Sequence, residues 1–116
     1  MPDRDRVVAD LRQRIRDVPD FPIPGVLFRD ITPIFQDARL FRACIDLFVE
    51  HFRGCGIEVF AGIESRGFVF GAPVALALGA GFVPVRKAGK LPAAKVQRTY
   101  ALEYGEATLE MHRDAV

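Results

Sequence analysis

Residues 59–85 read as a strand, a helix and a second strand, and no other stretch narrows the possible folds so far. Val59-Phe60-Ala61-Gly62-Ile63 is an almost wholly apolar run. Such a run suits a strand buried on both faces of a parallel sheet. Residues 67–79 are rich in Ala, Leu and Val and read as a helix closed by Gly79. Pro73 inside that pattern points to a late helix start or a distorted first turn. Phe82-Val83-Pro84-Val85 is the second strand, and its proline argues for a sheet edge or a strand end. Strand, helix and strand within roughly thirty residues make one βαβ unit, with a right-handed crossover expected.

The flanks are consistent with this α/β core. Val7, Val8, Leu11, Ile15 and Val18 recur at helical spacing, so an amphipathic helix is expected to run to about Val18-Pro19. Pro19 to Pro24 holds three prolines in six residues and must be an irregular or extended connection. Asp37 is placed to cap a second helix, with Phe41, Cys44, Ile45, Phe48 and Phe52 as its core stripe and Gly54 and Gly56 ending it. After the βαβ unit, Gly89 to Lys95 is a basic loop without periodicity. Tyr100, Leu102 and Tyr104 alternate with Ala101 and Glu103, then Ala107, Leu109 and Met111 alternate again, which reads as an antiparallel hairpin around Gly105.

A chain of 116 residues with half its residues apolar holds a single domain with a real core. The boundaries within it are expected at 1–36 for an N-terminal helix and hood, 37–88 for the core and 89–114 for a flexible loop and hairpin. The formal net charge is +1, which gives no electrostatic reason to expect nucleic acid as a partner. No apolar stretch approaches the roughly twenty residues of a membrane helix, and the start is too polar for a secretory signal. Cys44 and Cys55 do not make a disulfide framework and are expected as reduced thiols. His51 and His112 have no companions at metal-ligand spacing.

Four segments bear on chemistry. Glu64-Ser65-Arg66-Gly67 leaves the carboxyl end of a strand and enters a helix, the edge where open α/β sheets bind ligands. Helix-start amides suit an anion, Arg66 adds a fork matched to phosphate oxygens, and Gly67 allows close backbone approach. The same residues also make an ordinary strand-to-helix turn with an exposed arginine, and spacing does not decide between the two. A nucleophilic Ser65 is disfavoured, because Ile63 stands where the first glycine of a hydrolase elbow belongs. Arg86-Lys87-Ala88-Gly89-Lys90 follows the second strand directly, as a second phosphate contact or as a solvated charged loop. Leu27-Phe28-Arg29-Asp30 could supply the aromatic face and backbone hydrogen bonds that a nucleobase needs, or Phe28 is an ordinary core residue. Glu103-Tyr104-Gly105 at the hairpin tip presents a carboxylate suited to general acid–base work on a lid, or a plain turn with a solvated Glu.

Taken in order, Phe21-Pro22-x-Pro24-Gly25 through Phe28-Arg29-Asp30-Ile31, Glu64-Ser65-Arg66-Gly67-Phe68, Arg86-Lys87-x-Gly89-Lys90-Leu91-Pro92 and Tyr100-x-Leu102-Glu103-Tyr104-Gly105 resemble the adenine phosphoribosyltransferase family. The resemblance implies a type I phosphoribosyltransferase fold, a parallel sheet with flanking helices and a small hood, incomplete at its C-terminal end. It implies the reaction of adenine with 5-phosphoribosyl 1-diphosphate to give AMP and diphosphate, with Mg²⁺ bound alongside the diphosphate sugar. On the same grounds Leu27, Phe28 and Arg29 would line the adenine pocket with Phe28 stacking on the base. Ser65 and Arg66 would hold diphosphate in a loop that contains a non-proline cis peptide. Lys87 and Lys90 would assist the diphosphate, across a dimer interface in a homodimer. Glu103 would manage proton transfer at the adenine ring, with Tyr104 on the closing lid. A cytoplasmic enzyme of purine salvage is the implied setting.

This sequence lacks the hydrophobic strand, acidic pair and Thr-Gly-Gly-Thr loop that hold the ribose phosphate in the family. The 116 residues alone are therefore expected to have little or no transferase activity, and to expose apolar strand edges that favour aggregation. The alternative is a non-catalytic purine-binding or regulatory module of the same fold. An unrelated dinucleotide binder is disfavoured, since no Gly-x-Gly-x-x-Gly follows a strand and no P-loop occurs.

Overall fold

The computed structural model describes residues 3–102 and 105–116. They form two compact units, Met1–His51 and Phe52–Val116.

The first unit opens with helix α1, Arg4–Arg14. Asp3 caps it by accepting the Asp5 amide at 3.1 Å, and Arg12 and Arg14 lie in its last turn, where the helix dipole favours cations. The expected extension to Val18 does not occur. Ile15 is already extended, and Arg16–Pro19 forms strand β1, antiparallel to β2, Leu27–Asp30. Pro19 forces its neighbour Val18 out of the helical region, and Val18 finds Phe28 directly across the pair. The connection between them closes through the Phe21 amide on the Val26 carbonyl at 3.1 Å and the Gly25 amide on Asp20 Oδ1 at 2.9 Å. Gly25 has φ +88°, a conformation that glycine adopts without strain. The Phe21–Pro22 peptide is cis.

A short helix α2, Thr32–Gln36, follows, with Asp30 Oδ1 accepting both the amide and the hydroxyl of Thr32. Its length of one turn gave no periodicity to read. Helix α3, Ala38–Phe52, begins where expected. Asp37 Oδ1 accepts the Leu40 amide at 3.0 Å, while Oδ2 pairs with Arg14 at 3.3 Å. The Leu40 amide, and after it the charges of Arg14 and Arg39, hold the Asp37 carboxyl below its usual range despite the opposing effect of burial. The buried residues of α3 are Leu40 and Val49, whereas Phe48, expected in the core stripe, is exposed. The true apolar face is therefore rotated from the aromatic stripe toward these two aliphatic residues.

In the second unit, Phe52 at the end of α3 packs edge-on against Phe60 with ring centroids 5.3 Å apart. Strand β3, Val59–Ile63, runs parallel to β4, Gly81–Lys87, with Ile63 opposite Val85. Helix α4, Arg66–Ala77, joins them and ends at Gly79, φ +69°. It starts on time and continues through Pro73, which lies inside the helix rather than at its start. Proline removes one bond to the carbonyl four residues back. Close packing of the helix on β3 and β4 offsets that loss, with Val74 and Ala75 buried beneath it.

The packing depends on glycine. A Cβ on Gly62 would lie 2.5 Å from the Gly67 carbonyl oxygen and 2.8 Å from the Phe82 ring, and one on Gly71 would lie 2.7 Å from that ring. Phe82 also meets Phe68 edge-on at 5.8 Å. Helix and sheet thus approach backbone to backbone around one phenyl ring.

Strands β5, Lys95–Leu102, and β6, Gly105–His112, pair as an antiparallel hairpin. The hairpin begins five residues earlier than the alternation from Tyr100 indicated, because Lys95 to Thr99 are mostly exposed and show no apolar period. The sheet order is β3-β4-β6-β5. The fold is α/β as expected, with a mixed rather than wholly parallel sheet.

Pro84 proves compatible with an inner strand. The Gly81 amide donates to Glu58 and the Val85 carbonyl accepts from Glu64, so odd-numbered residues of β4 face β3. Pro84 faces the other side, where pairing with β6 is confined to Arg86 and Lys87. Its missing N–H thus costs no ladder bond. Strand β3 is not covered on both faces as expected: Val59 and Ile63 are 41% and 49% exposed. Among the described residues no helix is long and apolar enough to cross a membrane.

Candidate functional site

The register of β3 on β4 brings two segments to one rim. Ile63 pairs with Val85, so the chain leaves both strands at the same carboxyl-end edge, first as Glu64-Ser65-Arg66 and again as Arg86 to Lys90. Ser65 is the N-cap of α4 and its side chain makes no capping bond; Arg66 is the first helical residue. The Glu64–Ser65 peptide is cis. The rim therefore combines a helix start, where the dipole favours an anion, and a run of cations.

Glu64 organises the second segment. Its Oε1 accepts Arg86 Nε at 3.1 Å and the Lys87 amide at 3.1 Å, and its Oε2 accepts Lys90 Nζ at 3.0 Å. The Lys90 ammonium and the Lys87 amide, followed by Arg86, hold the Glu64 carboxyl down to about 2 from its ordinary 4.5. Its side chain is 10% exposed, while that of Lys90 is 50% exposed. The carboxylate thus sits inside and the ammonium outside.

The basic loop is not a freely solvated one. The Ala88 amide donates to the Thr108 carbonyl at 3.0 Å, and the Gly89 amide to Glu110 Oε1 at 2.8 Å. Lys95 Nζ reaches the Leu91 carbonyl at 3.1 Å and His112 Nε2 lies 3.0 Å from the Pro92 carbonyl. Leu91 is buried. Glu110 itself is 1% exposed. Its other oxygen accepts from Gln97 Nε2 and lies 4.0 Å from Lys95 Nζ. The Gln97 amide, then the Gly89 N–H and the Lys95 charge, hold this carboxyl below its ordinary range against the cost of burial.

Leu27, Phe28 and Arg29 lie on β2 in the first unit. Leu27 is exposed, Phe28 is half-buried with its ring edge-on to Phe21 at 5.2 Å, and Arg29 Nε stands 3.7 Å from Asp17 Oδ1. The structure thus groups Ser65, Arg66, Lys87 and Lys90 within the second unit. The candidate residues Glu103 and Tyr104 lie outside the described residues. Sequence reasoning assigned no role to Glu110. The alternation of 107–111 marks it as solvent-facing, and only pairing with β5 and the loop buries it. Glu64 had a readable signal, an acid at a strand end beside a strand that ends in cations.

For Mg²⁺, no group of three or more His, Cys, Asp or Glu gathers among the described residues at distances that hold a metal. These residues alone do not form a metal cage.

No protein-family model matches the chain. Individual relatives do. The adenine phosphoribosyltransferase of Aeromonas salmonicida is 58% identical over 102 residues, which is 88% of this chain and 56% of that protein. The chain thus spans little more than half the length of that relative. The crystal structure of adenine phosphoribosyltransferase from Saccharomyces cerevisiae, in complex with an imino-altritol bisphosphate and adenine, superimposes with a TM-score of 0.86 at 44% identity, covering 97% of this chain and 66% of the other. The Giardia lamblia enzyme with 9-deazaadenine gives a TM-score of 0.90 at 38% identity over 94% of this chain and 61% of the other. Sequence and backbone agree over nearly all of its residues, and the chain belongs to the adenine phosphoribosyltransferase family.

Proposed function

We propose that this chain provides the base-binding and diphosphate-binding parts of an adenine phosphoribosyltransferase, which joins adenine to 5-phosphoribosyl 1-diphosphate to give AMP and diphosphate. The observation that supports this most is the shared rim: Ser65-Arg66 at a helix start and Arg86 to Lys90 leave adjacent parallel strands side by side. A polyanion is the ligand such a rim suits. When diphosphate departs, the ribosyl carbon develops oxocarbenium character and charge accumulates on the leaving oxygens. Arg66, Lys87, Lys90 and the first amides of α4 are the groups assigned to that charge. Phe28 offers the adenine ring a stacking face, flanked by Leu27 and Arg29. Glu103 is assigned the proton at the ring and Tyr104 the lid that keeps water from the ribosyl centre. Mg²⁺, bound with the diphosphate sugar, would supply positive charge to the leaving group. A cytoplasmic homodimer belongs to the same reading, and sedimentation equilibrium measures the dimer directly.

Calorimetric titration of the 116-residue chain tests the assignment with two ligands, adenine and inorganic diphosphate. Arg66→Ala should weaken diphosphate by about tenfold or more, the scale of a lost charge-assisted bond, and leave adenine unaffected. Phe28→Ala should do the reverse, on the scale of roughly 1–3 kcal/mol for a base stacked on an aromatic ring. A folded chain that takes up neither ligand defeats the proposal.

A further inference from the structure

Glu110 is the most deeply buried charged side chain among the described residues, and the chemistry above makes no use of it. It sits on β6 opposite Arg86 of β4. Its partners come from two other segments. One oxygen takes the Gly89 amide at 2.8 Å, and the other takes Gln97 and faces Lys95 at 4.0 Å. A carboxylate removed from water to this degree persists only with its lone pairs filled. Here the filling groups are an amide of the cationic loop and two side chains of β5.

We propose that Glu110 is a positioning residue for the anion site, fixing the Arg86–Lys90 loop to the β5–β6 hairpin so that loop and hairpin behave as one body. The proposal rests on the assignment of that loop to diphosphate. Gly89 lies between Lys87 and Lys90 and has φ +86°, so without a tether this residue explores more backbone conformations than any other in the loop. The tether is the hydrogen bond that its amide donates to Glu110 Oε1. Ala88 to Thr108, Lys95 to Leu91, and Glu64 to the Lys87 amide and the Lys90 ammonium brace the loop on either side, but none of these bonds holds the Gly89 backbone itself. A mobile glycine would leave the backbone that carries Lys87 and Lys90 to be ordered by the ligand at an entropic cost. With Gly89 pinned, that backbone is already in place.

The test compares the full chain with Glu110→Ala and Glu110→Gln. Alanine leaves the Gly89 amide without its acceptor. Glutamine keeps an acceptor oxygen there, and Gln97 can turn its amide to match. Diphosphate affinity should fall by roughly tenfold in Glu110→Ala and recover to within about threefold of wild type in Glu110→Gln. Adenine affinity should be unaltered in both, since Leu27, Phe28 and Arg29 belong to the other unit. Brief trypsin treatment reads the tether without any ligand. Cleavage after Lys90 should accelerate by about the same factor in Glu110→Ala, and cleavage after Arg53 should keep its rate. Unchanged diphosphate affinity and unchanged cleavage after Lys90 in Glu110→Ala would overturn the proposal. So would loss of adenine affinity and faster cleavage at Arg53 alongside, which describe general unfolding. If wild type fails to take up diphosphate, the functional assignment of the loop fails on its own account, and the tether is decided by cleavage after Lys90 alone.

Discussion

At the residue scale, Glu64 carries the most consequence for behaviour in solution. Its carboxyl is held near 2 in the folded chain against an ordinary 4.5, so between those values the unfolded chain binds a proton that the folded chain does not. Stability then rises with pH across that window. The contribution of Glu64 is fully present above about pH 4.5 and disappears as pH falls toward about 2. Thermal melts from pH 6 downward should show a steeper loss in wild type than in Glu64→Gln. The variant should keep a residual slope, because Asp37 and Glu110 are depressed as well. Parallel curves for the two proteins would mean the Lys90 and Lys87 contacts do not hold the carboxylate in solution. Glu110, by contrast, has no local signal. It looks like a solvated charge in sequence, and only β-strand register brings its amide and cation to it.

At the scale of elements, the boundaries that were legible were those written in local chemistry. Asp37 announces α3 because a short acid before an apolar stripe satisfies helix amides, and the run 59–63 matches β3 residue for residue. What was illegible depended on distant partners. Ile15 and Val18 keep a helical period, yet Ile15 is extended and Arg16–Pro19 forms β1, because the segment returning through the proline-rich turn offers a strand to pair with. The buried face of α3 departs from its sequence pattern for a related reason. Aromatic side chains dominate the pattern, but Leu40 and Val49 are the residues that become buried. The contact of α4 on β3 also tests the fold at this scale. Gly62→Ala should destabilise the chain by about 1–3 kcal/mol, the usual penalty of overpacking, because the new methyl meets a backbone oxygen and a ring already held by Phe68. Urea unfolding measures it, and an unchanged midpoint would show that helix and strand are further apart than described.

For the molecule as a whole, the sheet has exposed apolar surface on β3, and among the described residues no strand pairs with its outer edge. Such edges recruit other chains. The chain should therefore scatter light increasingly with concentration, and Val59→Lys, which puts a charge on that exposed face, should suppress the increase. Scattering that is equal for both proteins would place the sticky surface elsewhere. The open side of β4 is a different kind of edge. Phe82 and Pro84 turn their main-chain groups toward it, but the pyrrolidine ring offers no hydrogen to share. A polypeptide zipping along that margin meets one mute position, where its own carbonyl goes unanswered at a penalty of roughly 1–3 kcal/mol. Only a visitor that bends, bulges or terminates opposite residue 84 avoids the loss, so a single proline acts as a lock on the alignment of whatever docks there.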